Sequence, residues 1–149
     1  MREFQFKCPL YVELTKKRKS SKSTKKPKKP KKNYINLNSY RNWQFNKSNN
    51  IKKKFKEEIK KGFPKITKPF DKYSLHYEFF LPTKHERDIM NLGSVTDKFA
   101  NDALVEEGIV EEDNYKHLQD ISFTFGGYDS EKEGYCLVTV TEVKKLKDI

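Results

Sequence analysis

Carboxylates are concentrated in one stretch of this chain, between Arg87 and Asp113. They lie before, along and after a predicted short helix: Asp88, Asp97, Asp102, Glu111, Glu112 and Asp113. Carboxylates that a fold brings together repel one another unless a cation lies between them, and Mg²⁺ prefers oxygen ligands of this kind. The pattern therefore predicts a metal-dependent phosphoryl site. The alternative is a solvated helix face and a polar loop, since surface acids are common.

Composition limits the kinds of protein that this sequence can form. Its 149 residues fit one domain of ordinary size, or a smaller one with a tail. Charged residues make up 36% of the chain, but 11 Phe, 8 Tyr and 1 Trp supply a modest core. No apolar run approaches the roughly 20 residues that span a bilayer, and residues 3–8 alternate instead of forming a signal-peptide core. We expect a cytoplasmic protein, with Cys8 and Cys136 buried and reduced.

Positive charge is concentrated in residues 16–32, which contain eleven Lys or Arg and no acid. The charge of this segment, the lysine arm, equals the whole formal net charge of +11. Because it has no apolar residue and repeats Pro-Lys-Lys, we expect it to be mobile until a polyanion neutralises it, although it fits a solvating loop too. After it, aromatic residues alternate with Asn and Arg from Tyr34 to Trp43, which suits either nucleic-acid stacking or a packed loop anchor.

Hydrophobic periodicity predicts four strands and two main helices, over residues 3–8, 73–81, 118–125 and 136–143 and over 48–62 and 94–108. The first helix buries Ile51, Phe55 and Ile59 and points its lysines outward. In the second, Ser94 is the predicted N-cap, and Asp97 is either a capping acid or a metal ligand. The order predicts a small single α/β (α+β) domain over residues 1–149, with a mixed β-sheet.

Three short motifs carry a resemblance to a known family: RDIMN at 87–91, DKFANDAL at 97–104, and Gly108 followed by EEDN at 111–114. This segment resembles the core of the RusA-type Holliday junction resolvases, particularly their phage-borne branch, and NLNSYRNW at 36–43 fits the same branch. The resemblance implies a Mg²⁺-dependent endonuclease, with Mn²⁺ as a substitute and no organic cofactor. It also implies a homodimer that cuts two strands of a four-way DNA junction.

Site residues follow from the resemblance by position. Asp88, Lys98 and Asp113 match catalytic residues, and the implied metal ligands are Asp88, Asp97, Asp102, Glu112 and Asp113. Met90 stands where the family has its second Asp, and a thioether cannot replace a carboxylate for Mg²⁺. Either Asp97 or Asn91 supplies the missing oxygen, or the metal site has fewer ligands. We expect Asp97 to supply it, and Asp88 and Asp113 to converge on one cation.

Phosphate contacts are predicted for the basic arm and for the aromatic segment after it. The residues are Lys16, Lys17, Arg18, Lys19, Lys28, Lys29, Lys31, Lys32, Tyr40, Arg41 and Trp43. Two other functions remain open at this point. One is a non-enzymatic nucleic-acid-binding protein, and the other is a metal-dependent nuclease for other branched DNA or for RNA.

Overall fold

A computed structural model describes residues 2–14 and 30–143 of the chain. The predicted arm positions Lys16, Lys17, Arg18, Lys19, Lys28 and Lys29 lie outside the described residues. Along the chain the elements are β1 (Glu3–Pro9), β2 (Tyr11–Leu14), β3 (Lys31–Tyr34), α1 (Leu37–Asn42), α2 (Phe45–Ile59), β4 (Tyr73–Leu81), α3 (Ile89–Glu106), β5 (Leu118–Tyr128) and β6 (Tyr135–Glu142).

Four strands form one mixed sheet in the order β1, β6, β4, β5. β6 pairs antiparallel with both of its neighbours, whereas β4 and β5 are parallel and are connected through α3. β2 and β3 form a separate antiparallel hairpin. The prediction of a small α+β domain with a mixed sheet and two main helices is thus confirmed.

The helices cover one face of the sheet, and alternation along β4 shows which face that is. Every second residue from Tyr73 to Leu81 is buried, whereas the residues between them are only partly covered. The stripe of Ile51, Phe55 and Ile59 on α2 is buried as predicted, against β1 and β2. The cysteines are also buried as predicted, as free thiols opposite each other on β1 and β6.

The predicted start of the second main helix is wrong. This helix begins at Ile89, and Asp88 is its N-cap, because an Asp88 carboxylate oxygen accepts a 2.9 Å hydrogen bond from the Met90 amide. Ser94 lies inside the helix, where its hydroxyl donates back to the Met90 carbonyl at 2.7 Å. Asp97 is therefore a mid-helix residue and not a capping acid. In the described part of the chain, no helix is long and apolar enough to cross a membrane.

Candidate functional site

A chain of buried hydrogen bonds fixes Asp97 in the middle of α3. The Tyr77 hydroxyl and the Asn101 side-chain amide both donate to Oδ1 of Asp97, each at 2.7 Å. The Tyr73 hydroxyl donates in turn to Oδ1 of Asn101, also at 2.7 Å. Tyr73, Tyr77 and Asn101 are 0 to 3% exposed, so water does not compete for these bonds. One oxygen of the Asp97 carboxylate is therefore held in a set position.

Sequence periodicity explains why these side chains meet. Tyr73 and Tyr77 occupy alternate positions of β4 and so project from the same face, towards α3. Asn101 follows Asp97 by four residues and shares its face of the helix. Close packing holds the helix in place: Phe123 of β5 stacks on Tyr77 with ring centroids 5.1 Å apart. A Cβ at Gly93 of α3 would meet that Phe123 ring at 2.6 Å, so only glycine fits there.

Burial and neighbouring carboxylates raise the pKa of Asp97. Burial is the largest cause, and the charges of Asp113 and Asp102 add to it, while the bonds from Tyr77 and Asn101 act in the opposite direction. Burial also raises the pKa of Tyr73, and the charges of Asp113, Asp97 and Glu112 raise it further. The charge of Asp113 therefore acts on both Asp97 and Tyr73, and no ion pair neutralises Asp97 in the described residues.

Backbone hydrogen bonds fix the loop that carries Glu112 and Asp113. At its start, the Glu111 amide donates to the Phe70 carbonyl at 3.2 Å, and at its end the Tyr73 amide donates to the His117 carbonyl at 2.9 Å. Both partners belong to the segment that leads into β4. Asp113 is exposed, but its loop is attached to the same strand that carries Tyr73 and Tyr77.

The structure brings together some of the predicted site residues and separates others. The charge of Asp113 raises the pKa of Asp97 after burial, and the charges of Asp113 and Glu112 raise that of Tyr73 after burial. Asp102, five residues after Asp97 on α3, forms a 2.6 Å ion pair with Lys52 of α2. Lys98 is exposed on the helix surface next to Asp97.

The expected convergence of Asp88 and Asp113 stays a prediction. Asp88 is the N-cap of α3, nine residues before Asp97, which corresponds to about 13 Å along the helix axis. Asp88 and Asp97 are therefore too far apart for both to bind one cation at the 2.0 to 2.6 Å of such bonds. This separation follows from the helix starting at Ile89 instead of Ser94, which places Asp88 at the end of a longer helix.

The aromatic residues predicted to contact nucleic acid are packed against the core instead of being open stacking surfaces. Trp43 stacks over Phe99 of α3 with centroids 6.5 Å apart, and Tyr40 meets the same ring edge-on at 6.0 Å. The packed-anchor alternative therefore describes these two residues. Arg41 is exposed between them, and Lys31 and Lys32 are exposed on β3.

A second group of potential ligands lies at the base of the acidic loop. Within residues 2–14 and 30–143, the one set of three such groups whose ligand atoms all lie within 4.8 Å of one another is Asp71, Glu111 and His117. Nδ1 of His117 already donates to the Asp71 carbonyl at 2.7 Å and lies 3.1 Å from the Asp71 carboxylate. We therefore assign this group to anchoring the loop.

Asp97 and Asp113 offer the type of donor that a hard divalent cation prefers, because Mg²⁺ binds carboxylate oxygens. Asp97 is held on α3, and Asp113 is exposed in the loop that follows it. Among the described residues, these two acids do not belong to a group of three with ligand atoms within 4.8 Å of one another. A cation at Asp97 would therefore need further oxygen ligands.

Sequence reasoning did not assign Tyr73, Tyr77 and Asn101 to the site. Two signals were available. A tyrosine on the buried face of a strand needs a partner for its hydroxyl, and Asn101 is a polar residue on the apolar face of α3, where burial without a hydrogen bond is costly. Neither signal identifies the hydrogen-bond partner, because that partner depends on how the helix lies across the sheet.

Replacing Tyr77 by phenylalanine should shift the pH dependence of any metal-dependent reaction at Asp97. The variant loses a hydrogen bond that lowers the pKa of Asp97, so the acidic limb of a pH–rate profile should move to higher pH. We also expect it to lose about 1 to 3 kcal/mol in the free energy of unfolding. Tyr73→Phe is the control, because its hydroxyl binds Asn101 and not Asp97. Equal shifts in both variants would contradict the assigned network.

Comparison of the chain with protein-family models and with curated proteins finds no match.

Proposed function

We propose that this protein is a Mg²⁺-dependent endodeoxyribonuclease that resolves four-way DNA junctions. The supporting observation is the half-buried Asp97, which accepts two hydrogen bonds and whose pKa is raised by burial and by the charge of Asp113. A half-buried carboxylate held in this way destabilises the fold unless a bound cation neutralises it. Perturbed carboxylates of this kind are typical of functional sites. The resemblance of residues 87–114 to the RusA-type resolvases supports the choice of substrate.

Each residue of the site has a distinct task in this proposal. Asp97 and Asp113 hold the metal, with Glu112 next to them and Tyr77 and Asn101 orienting the Asp97 carboxylate. A bound Mg²⁺ supplies Lewis-acid polarisation of the scissile phosphate. Lys98, exposed on the same helix, offsets the negative charge that grows on the phosphate in the transition state. Asp88 caps α3 and has no part in the chemistry.

DNA contact and assembly complete the proposal. Backbone phosphates are contacted by Arg41 and by the lysine arm, which includes Lys31 and Lys32. Such contacts position DNA without reading its sequence. A homodimer supplies two symmetry-related sites, so that two strands of one junction are cut. The protein acts in the cytoplasm, which is the host's if a phage encodes it.

A non-enzymatic DNA-binding protein is the second candidate. Two observations favour it: Asp88 caps α3 nine residues before Asp97, and the charge of Asp102 is already neutralised by Lys52. This candidate predicts binding with no metal requirement. An incubation assay separates the two functions and shows which substrate is cut. The protein is incubated, in Mg²⁺ or in EDTA, with labelled four-way junction, replication fork and linear duplex.

Substituting Asp113 and Asp88 in turn tests the site directly. We expect Asp113→Asn to lower junction cleavage by about 1,000-fold, because several kcal/mol of charge stabilisation depend on the metal. Asp88→Asn should cleave within about twofold of the wild type, since asparagine is an equally good N-cap. Both variants should bind the junction normally in EDTA. Loss of cleavage in Asp88→Asn, or wild-type cleavage in Asp113→Asn, would contradict this site.

A further inference from the structure

One edge of the main sheet is open. The strand order places β1 at one edge and β5 at the other, and the outer side of β5 has no strand beside it among the described residues. β5 has 11 residues and none of them is buried, whereas every other strand in that part of the chain has at least one buried side chain. A row of backbone N–H and C=O groups along β5 is therefore available for pairing with another chain.

The two edge strands differ in their protection against such pairing. Charged side chains and proline are common means by which an edge strand avoids it. β1 carries Glu3 and Lys7 and ends at Pro9, which has no amide hydrogen. β5 has the sequence LQDISFTFGGY, in which Asp120 is the one charged residue and lysine and proline are absent. The protection that β1 has is thus missing from β5.

Large apolar side chains are exposed at the same edge. Phe125 and Tyr128 are each 51% exposed, and their rings meet edge-on with centroids 5.3 Å apart. They pair with Phe79 and Leu81 of β4, which are buried, so they project from the face of the sheet that the helices cover. The helices leave this end of β5 open, and burying such an aromatic pair would favour association.

The sequence of β5 is complementary to itself in the antiparallel direction. A two-fold axis at Phe123 places Ile121 of one copy opposite Phe125 of the other, and Ser122 opposite Thr124. Apolar pairs and pairs of hydroxyl side chains are both stabilising across strands. Asp120 then lies next to Gly126, which has no side chain, so like charges do not meet. This self-complementarity identifies a second copy of the chain as the partner.

We propose that β5 of one copy pairs antiparallel with β5 of a second copy about a two-fold axis at Phe123. The two four-stranded sheets then form one continuous sheet. Directly opposite residues of an antiparallel pair project to the same side, so both copies of α3, each with its Asp97, lie on one side of the joined sheet. The interface rests on β5, and only the use of both sites on one DNA junction rests on the proposed function.

Sedimentation equilibrium of the full-length protein in EDTA tests this interface. We expect the wild type to associate to twice the 17.7 kDa of one chain. Phe125→Asp should raise the Kd of the dimer by about tenfold or more, because a charge then faces Ile121 at two symmetry-related places. Phe45→Asp is the matched control and should leave the Kd unchanged, since Phe45 is 79% exposed on α2, which packs against β1 at the other edge. A monomeric wild type, or equal effects of the two substitutions, would overturn the proposal.

Disulfide cross-linking tests the register with two separate variants, Ser122→Cys and Thr124→Cys. The native cysteines are buried and do not compete. In a mixture of the two variants, the new cysteines lie directly opposite each other with Cβ atoms about 5 Å apart, close to the span of a disulfide. Either variant alone places its cysteines on a diagonal, about 7 to 8 Å apart. Oxidation should therefore cross-link the mixture more than either variant alone, and equal cross-linking would contradict the two-fold axis at Phe123.

Junction cleavage in Mg²⁺ is scored separately from association. A dimer that cuts no junction would retain the β5 interface and reject the nuclease. Junction cleavage by a wild type that stays monomeric would do the reverse.

Discussion

Replacing Asp97 by asparagine should abolish Mg²⁺-dependent junction cleavage and raise the melting temperature of the metal-free protein. Oδ1 of Asp97 accepts both hydrogen bonds, and the carbonyl oxygen of asparagine can accept the same two. What the substitution removes is a half-buried negative charge repelled by Asp113 and Asp102. Cleavage should fall by about 1,000-fold, while the melting temperature rises by roughly 2 to 4 °C for each kcal/mol recovered.

The stability gain of this variant should depend on pH in a set direction. The pKa of Asp97 is raised in the folded protein above its ordinary value of 3.8, so the folded state binds this proton more tightly than the unfolded chain does. The wild type therefore loses stability as the pH rises from 3.8 through the folded pKa. We expect the gain of Asp97→Asn to be full above that window and to vanish below 3.8.

Thermal melts in EDTA over a pH series, with cleavage assays on the same preparations, check both parts of this prediction. Asp120→Asn is the matched control, because Asp120 is exposed on β5 and forms no ion pair within residues 2–14 and 30–143. It should change neither stability nor cleavage. A melting temperature for Asp97→Asn below that of the wild type at neutral pH would show that the Asp97 charge is already compensated.

Neutralising the lysine arm should weaken junction binding more than any single substitution. Residues 16–29 carry nine of the eleven positive charges of the segment 16–32. If six of the nine contact phosphate, the slope of log affinity against log salt falls by about 5. The wild type should then lose about 1,000-fold more affinity than the variant does between 50 and 200 mM salt. Filter binding or fluorescence anisotropy at several salt concentrations measures the change.

The structure dictates how this variant is made. A deletion of residues 16–32 would remove half of β3, in which Lys31 pairs with Leu14 and Lys32 with Glu13. It would also disturb Asn33, whose side chain is buried and donates to the Val12 carbonyl at 3.2 Å. Replacing the nine charged residues by Gln or Ser keeps the hairpin and the chain length. An unaltered salt slope in that variant would show that the arm does not touch phosphate.

Local patterns in the sequence were sufficient to predict most of the helices and strands. The structure contains the strand that alternation predicted over 73–81, and it buries the four-residue repeat of Ile51, Phe55 and Ile59 on α2. Both patterns are reliable because the spacing of side chains on one face follows directly from the backbone geometry of a strand or a helix. The start of α3 was misplaced because Asp88 and Ser94 are both competent N-caps, and a capping signal alone does not choose between two of them. The short helix α1, capped by Asn36, was not predicted.

The sequence by itself determined the α+β class, the two main helices, the gathering of acids after residue 87 and the concentration of lysine in residues 16–32. These properties depend on composition and on neighbours within a few positions along the chain. Only the tertiary structure decided the partners of these acids. Tyr77 of β4 binds Asp97 and Lys52 of α2 binds Asp102, because distances across a helix and a sheet depend on packing and not on separation along the chain.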